Sequence, residues 1–448
     1  MNPYIQYMYS YPHKTAYRPL EAVNLRDYAE RLQGPGHGLY LHIPFCQGKC
    51  GYCNLFSVTG ANDEDMEHYL DTLERQMGQY GQALEPEDTS FSDFTIGGGT
   101  PLLLTKKQLD RLFSMTNRYL NMEAGCNIVI ETAPNQTDRE RLQILKEAGA
   151  ARVSMGIQSF CREELNTLKR GHHPDKARMA LDLLMSFEFP CVNLDFIYGI
   201  PGQGTTSLLK SLEEAVTYEP HEIFLYPLYV KHGARLEREG MVLEPEKAYE
   251  QYQEASSYLK ANGFRQDSMR RFVRRRKRED RRGFSDCGFS SSLALGCGGR
   301  SYVGNLHFCT PYAITPGDCM RELKTFQETT DFTRITHGIF LSEDEEKRRY
   351  VIRHLLIRPG INQDRYQERF KSRLLEDFPL ITQWMKEGYA VMEKGNYLAL
   401  TKNGMGLSDY LGPQLISDKV SRRMGEWEDA HGLKKWAYGS LQGQPEKL

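Results

Sequence analysis

The sequence predicts an α/β protein built on a parallel sheet, followed by a helical C-terminal domain. Three observations lead there. Short apolar runs alternate with amphipathic helices six times between about residues 38 and 230. Polar residues and glycines gather at the far ends of those runs: Gly97–Thr100, Glu131, Gln158 and Asp195. After about residue 240 the alternation stops and helices take over. Alternating strands and helices imply parallel neighbours joined by right-handed crossovers. Six strands fit an open doubly wound sheet or an incomplete barrel, and both bind ligands at the C-terminal strand ends.

The elements read in order. Gly38–Pro44 is a short run of strand formers, and Asp63–Ala83 is a polar helix. Asp93–Ile96 is a strand that runs into Gly97-Gly98-Gly99. Lys106–Leu120 is a helix with Leu109, Leu112, Phe113 and Thr116 on one face. Asn127–Thr132 is a strand, and Asp138–Ala148 a helix stopped by Gly149. Arg152–Ile157, Val192–Tyr198 and Glu222–Val230 are strands, separated by helices Asp175–Phe187 and Thr206–Val216. Lys247–Asn262 is a helix. Helices Glu343–Leu355, Arg365–Asp377 and Leu380–Glu387 precede a small hairpin, Tyr389–Met392 and Tyr397–Leu400, around Gly395-Asn396. Helices followed by a hairpin suggest a winged-helix-like fold.

Composition sets the outer bounds. At 448 residues with 40% hydrophobic and 26% charged residues, the chain can bury a large core. The net charge of −2 gives no argument for nucleic-acid binding. No apolar run reaches the length of a membrane helix, and the N-terminus lacks the pattern of a secretory signal. A cytoplasmic setting with reduced thiols follows for the ten cysteines, so a cluster of them is a metal or catalytic site before it is a disulfide framework.

Such a cluster stands directly after the first strand, where Cys46, Cys50 and Cys53 follow C-x3-C-x2-C spacing. Thiolates this close hold a soft metal or act as redox thiols. A zinc site would call for a fourth, paired ligand, and the next cysteine, Cys126, is isolated. Three thiols suit a [4Fe–4S] cluster with one iron left open. Zinc and unrelated thiols stay as alternatives.

The stretch Tyr40-Leu-His-Ile-Pro-Phe-Cys46-Gln-Gly-Lys-Cys50-Gly-Tyr-Cys53 resembles radical S-adenosylmethionine proteins. Its form is that of the oxygen-independent coproporphyrinogen III oxidase and haem chaperone family. The resemblance covers roughly residues 38–415. It implies an incomplete parallel (β/α)6 TIM-like barrel with a C-terminal helical, winged-helix-like domain. The corresponding division is an N-terminal extension (1–34), the barrel (35–235), a covering segment (236–335), the C-terminal domain (336–418) and a charged tail (419–448).

The resemblance also implies roles. Cys46, Cys50 and Cys53 would hold the [4Fe–4S] cluster. Gly98, Gly99 and Thr100, within IGGGTP, match the turn whose backbone meets the methionine end of S-adenosyl-L-methionine; glycines expose backbone groups to a zwitterion. Glu131, Gln158 and Asp195 match cofactor contacts at the strand ends. Arg170 matches the arginine that neutralises the cofactor carboxylate, and Tyr40 and Tyr52 match flanking aromatics. The implied chemistry is one-electron cleavage of S-adenosylmethionine to methionine and a 5′-deoxyadenosyl radical. A one-electron donor such as a flavodoxin-like protein is then needed, and the substrate is a tetrapyrrole or related anion. No particular catalytic residue is assigned beyond these.

Some features separate the family's branches. The oxidase's fourth cysteine, two residues after the third, is Leu55 here, as in the chaperone branch, and LYPLYVKHGA also resembles that branch. The chaperone's HN-x-x-YW motif has no counterpart between Arg270 and Gly296, and Tyr9-Ser10-Tyr11-Pro12 resembles the oxidase's extension. The expected function is therefore an oxidase-like radical enzyme, with a haem-binding chaperone as the alternative.

Other residues receive plainer readings. Arg270–Arg282 holds nine basic and two acidic residues, which suits a solvated loop or an arginine cover over an anionic substrate. Cys287, Cys297, Cys309 and Cys319 match no metal spacing and read as spare thiols. His172-His173 reads as a helix-leading loop, and His42 as a packed strand residue.

Overall fold

A computed structural model describes residues 2–84, 88–275 and 289–432. Among the described residues, thirteen strands form one sheet. In chain order they are β1 (Arg18–Asn24), β2 (Gly34–Ile43), β3 (Thr89–Gly98), β4 (Met122–Thr132), β5 (Ala150–Gln158), β6 (Cys191–Tyr198) and β7 (Glu222–Pro227), then β8 (Phe264–Gln266), β9 (Arg271–Arg274), β10 (Ser292–Leu295), β11 (Arg300–Val303), β12 (Leu306–Cys309) and β13 (Arg334–Phe340).

Strands β2 to β7 lie side by side in sequence order, each parallel to the next. A doubly wound sheet reverses its order at a switch point. This order does not reverse, so the winding is that of a barrel. The sheet ends at β1 and β8 without joining, so the barrel is incomplete.

The crossover helices are α1 (Asp63–Ala83), α2 (Lys106–Tyr119), α3 (Arg139–Glu147), α4 (Pro174–Ser186) and α5 (Thr205–Thr217). Their starts follow local chemistry. The Asn62 side chain accepts from the Asp65 N–H while Asp65 accepts from the Asn62 N–H, a capping box. Thr105 and Gln108 do the same for α2. The predicted apolar face of α2, with Leu109, Leu112, Phe113 and Thr116, is buried. Each such large apolar side chain contributes about 1.5–3 kcal/mol on burial.

Five of the six barrel strands run longer than their apolar runs, while β7 stops at Pro227, short of the predicted Val230. The third, predicted as Asn127–Thr132, begins at Met122, because parallel pairing with neighbours adds backbone hydrogen bonds beyond the apolar stretch. Helix Arg365–Asp377 is broken in two, Gln363–Phe370 and Leu374–Asp377. Lys371 sits between them in the left-handed region at φ 53° and caps the first half.

The stretch expected to cover the barrel, 236–335, combines helices Pro245–Ala261 and Pro316–Glu328 with strands β8 to β12. Strand β10 pairs parallel with β2, and β9 pairs antiparallel with β7, so both edges of the six-stranded wall are extended. The solvated reading of the basic run is corrected for Arg270, Arg271 and Arg274, while Arg275 is exposed. Arg270 is buried and paired with Asp409, and Arg271 pairs with Glu222. Arg274 donates to the carbonyls of Pro220 and Val216. Strand pairing to β7 and partners from other elements absorb these charges. Residues 276–282 lie outside the described residues, as do Cys287 and the tail beyond residue 432.

The first residues are not a loose lead. Met8, Tyr11 and Ala16 belong to the C-terminal core with Trp384, Tyr366 and Leu400. The Tyr11 hydroxyl meets Glu345 and accepts from the Ser417 N–H at 3.2 Å. Tyr4 packs edge-on against Tyr198 and Tyr7 against Tyr226, both at the end of the barrel wall. The segment thus bridges barrel and C-terminal domain.

Candidate active site at the C-terminal strand ends

The three cysteines leave the end of β2 on one loop. Cys46 is held by a short parallel pairing of Phe45–Cys46 with Val58–Thr59. The Cys53 N–H donates to the Cys50 carbonyl at 3.1 Å, which closes a turn, and the Gly51 N–H donates to the Leu168 carbonyl at 2.9 Å. The loop is therefore built from its own turn and anchored to the far side of the mouth. Burial pushes the Cys46 thiol up and the Cys53 thiol up to about 11.

The triple glycine packs beneath that loop. The Gly99 N–H donates to the Ile43 carbonyl at 2.7 Å and the Thr100 N–H to the Phe45 carbonyl at 2.8 Å. A Cβ at Gly99 would lie 2.5 Å from the Phe45 oxygen and 2.9 Å from the Cys46 sulfur. Gly98 has φ 115°, which favours glycine. Its N–H donates to Glu131 at 3.3 Å, and a Cβ at Gly97 would meet the same carboxylate at 2.9 Å.

Glu131 opens to solvent at the mouth yet is crowded by protein on its other sides. That crowding, with the nearby Asp195 charge, raises its carboxyl to about 7 against the pull of the Gly98 N–H. Burial raises Asp195 to about 6, although Asn193 donates to it at 2.8 Å.

Arg170 reaches across from the other wall. It donates to the Cys50 sulfur at 3.0 Å and to the Gly156 carbonyl at 2.8 Å. Its Nε is buried without a partner. Gln158 is buried and left-handed at φ 70°, a conformation costly for a non-glycine residue and maintained only where the surroundings impose it. Tyr52 packs with Leu168, Ile197 and Leu228, and Tyr40 bonds His42 at 3.0 Å. His42 itself is buried, with its other ring nitrogen on the Phe56 carbonyl at 2.9 Å. Burial lowers its pKa to about 4.

The predicted residues thus gather at one end of the barrel. Sequence reasoning missed Gly156. A Cβ there would lie 2.8 Å from the ends of both the Arg170 and Gln158 side chains, so the glycine leaves room for both. The signal was a glycine inside an otherwise apolar strand. Also missed were Arg152 and Glu222, an ion pair at 3.2 Å beneath the mouth, whose partners lie far apart in sequence. His172 is buried rather than a plain loop residue, while His173 caps α4 by accepting from the Asp175 N–H.

The donor set fits an iron–sulfur cluster. Among the described residues, no three His, Cys, Asp or Glu side chains converge closely enough to share one metal ion. Three thiolates on one loop suit a four-iron cluster, which takes each thiolate on a different iron. The Gly99 cradle leaves the sulfur of Cys46 room, and Arg170 sets a positive charge beside that of Cys50.

Comparison with known proteins agrees with this geometry. Residues 40–215 match the radical SAM superfamily model. The chain is 26% identical over 372 residues to the heme chaperone HemW of Bacillus subtilis, covering 82% of this chain and 95% of that protein. It is 25% identical over 420 residues to the oxygen-independent coproporphyrinogen III oxidase of Escherichia coli, covering 87% and 89%. The solved structure of coproporphyrinogen III oxidase (HemN) from Escherichia coli, described as a radical SAM enzyme, has the same fold. Its TM-score is 0.76 at 21% identity, covering 94% of this chain and 96% of that one. The chain thus carries a radical SAM domain over residues 40–215 and is similar along most of its length to both a heme chaperone and an oxygen-independent coproporphyrinogen III oxidase.

Proposed function

We propose that the chain is a radical S-adenosylmethionine enzyme acting on a tetrapyrrole or related anion. The observation that carries this is Arg170 bonded at once to Cys50 and to the end of β5, opposite the glycine turn and Glu131. In this reading Cys46, Cys50 and Cys53 hold a [4Fe–4S] cluster. When bound, the cluster supplies the electron that splits S-adenosylmethionine into methionine and a 5′-deoxyadenosyl radical able to take hydrogen from a substrate.

The chain's own residues bind and orient. The glycine turn Gly98–Thr100 and the Glu131 carboxylate receive the amino end of the cofactor. Arg170 neutralises its carboxylate, and Gln158, Asp195, Tyr40 and Tyr52 close the remaining sides. The chain is similar to both HemW and an oxygen-independent coproporphyrinogen III oxidase, so similarity alone serves either reading. The electron comes from a one-electron carrier such as a flavodoxin-like protein. Among the described residues no helix is long and apolar enough to cross a membrane; we place the protein in the cytoplasm.

The second reading is a haem-binding chaperone that keeps the cluster. Leu55, where the oxidase has a cysteine, favours it; this side chain is 52% exposed at the loop. Anaerobic turnover with coproporphyrinogen III separates the two. The enzyme reading expects 5′-deoxyadenosine to rise with loss of coproporphyrinogen III. Haem bound stoichiometrically, with no product coupled to coproporphyrinogen III, would favour the chaperone.

A further inference from the structure

Beside the cluster loop lies a cleft lined by Asn54, Tyr229, Lys231, Tyr312 and Trp427, with His13 from the N-terminal segment. Asn54 follows Cys53 directly and donates to the Tyr312 hydroxyl at 3.2 Å. Lys231 lines this cleft, and around the neighbouring Tyr9 it converges with two further cations from other elements. Lys14 comes from the N-terminal segment, Lys231 from the loop after β7, and Arg300 from the start of β11.

They share one aromatic patch. Lys14 Nζ stands 4.3 Å from the Tyr312 ring centre. Lys231 and Arg300 stand 6.0 and 5.6 Å from that of Tyr9. Arg300 donates to Ser10, to the Pro12 carbonyl at 3.3 Å and to the Tyr9 hydroxyl at 3.4 Å. All of these acceptors are uncharged. Among the described residues none of the three cations makes an ion pair. Asp409, whose charge Lys231 feels, is already engaged by Arg270 and Tyr229.

Tyr9 keeps 38% of its surface exposed although it is surrounded by these groups, so it faces open space within the protein. Burial would raise its phenol, yet Arg300, Lys14 and Lys231 together hold it below its ordinary value. Three half-buried cations without an ion-pair partner are costly, and Glu428 is the one carboxylate among the residues that line the cleft. An anion that entered the cleft would remove that cost, and the rings of Tyr9, Tyr229, Tyr312 and Trp427 would cover a flat apolar body beside it.

We propose that Lys14, Lys231 and Arg300 form a carboxylate clamp that seats a polycarboxylate substrate beside the cluster loop. This rests on the reading of the site as radical S-adenosylmethionine chemistry on an anionic substrate, and it assigns the specificity to these three residues. Part of the clamp comes from the first seventeen residues, which explains why that segment is tied to both barrel and C-terminal core.

The test uses the full chain, reconstituted without oxygen at low salt. The probes are coproporphyrin III, its tetramethyl ester and tricarballylate, an acyclic tricarboxylate. The clamp predicts that coproporphyrin III binds and that its ester binds at least tenfold more weakly. Lys14→Gln and Lys231→Gln should each weaken the free acid by about tenfold, as expected for one charge-assisted contact. Lys14→Arg and Lys231→Arg should retain it, which separates loss of charge from loss of fold. Equal binding of acid and ester, or binding unchanged in both Gln variants, overturns the clamp while leaving the tetrapyrrole reading intact. Tricarballylate that binds and is lost in Lys231→Gln, without coproporphyrin III binding, keeps the clamp and removes the tetrapyrrole. No binding of either acid overturns the clamp.

Discussion

Arg170 donates to the Cys50 sulfur at 3.0 Å, joining the cysteine loop after β2 to the wall at β5. Its two terminal nitrogens point to two different acceptors. A lysine could reach one of them but lacks the planar fork. Arg170→Lys should therefore lower 5′-deoxyadenosine formation by roughly 100-fold. Iron and sulfide content should stay near that of the parent, because the three thiols are untouched. Metal analysis and single-turnover product assays on the same sample check this.

Gly99→Ala should disrupt the cysteine loop, since its Cβ would lie 2.5 Å from the Phe45 oxygen. Overpacking against backbone costs about 1–3 kcal/mol. Lower cluster incorporation and a lower thermal midpoint are expected. Gly48→Ala, on the same loop, meets nothing within 4 Å and should behave as the parent in both measurements.

The buried Arg270–Asp409 pair joins β9's leading edge to the C-terminal domain. Asp409→Ala strands a buried guanidinium and should cost about 3–5 kcal/mol. The double variant Arg270→Met, Asp409→Leu should recover most of that loss. Denaturant titrations of the three proteins measure the difference.

Asp195 gives a pH dependence. Burial first, against the Asn193 contact, lifts its folded carboxyl from 3.8 to about 6. A raised carboxyl means that the folded state holds the proton while the unfolded state has released it. Its contribution is therefore full at low pH and is lost as pH rises from about 4 through about 6. Asp195→Asn removes this loss. The apo variant should gain about 1 kcal/mol on the parent between acid and neutral pH, since solvent at the mouth screens part of the shift. Denaturation midpoints at several pH values test the sign.

Much of the barrel was legible because each strand end carries its own chemical mark. The alternation of apolar runs with helices marked the winding, and the glycine turn and Glu131 marked its open end. What escaped depends on partners distant in sequence. Arg270 and Arg271 read as part of a charged loop because Asp409 and Glu222 lie far away along the chain. The ties of the N-terminal extension also escaped, because Tyr4, Tyr7 and Tyr11 each find a ring or carboxylate far along the chain. The choice between barrel and open sheet also waited on strand order, which no local pattern encodes.

The most direct test of the central claim is S-adenosylmethionine cleavage by the anaerobically reconstituted chain with dithionite, compared with Cys50→Ala. The account predicts 5′-deoxyadenosine in proportion to intact [4Fe–4S] cluster in the parent and a loss of at least about 100-fold in the variant. A parent with a complete cluster that yields no 5′-deoxyadenosine, or a Cys50→Ala protein that yields as much, would contradict it.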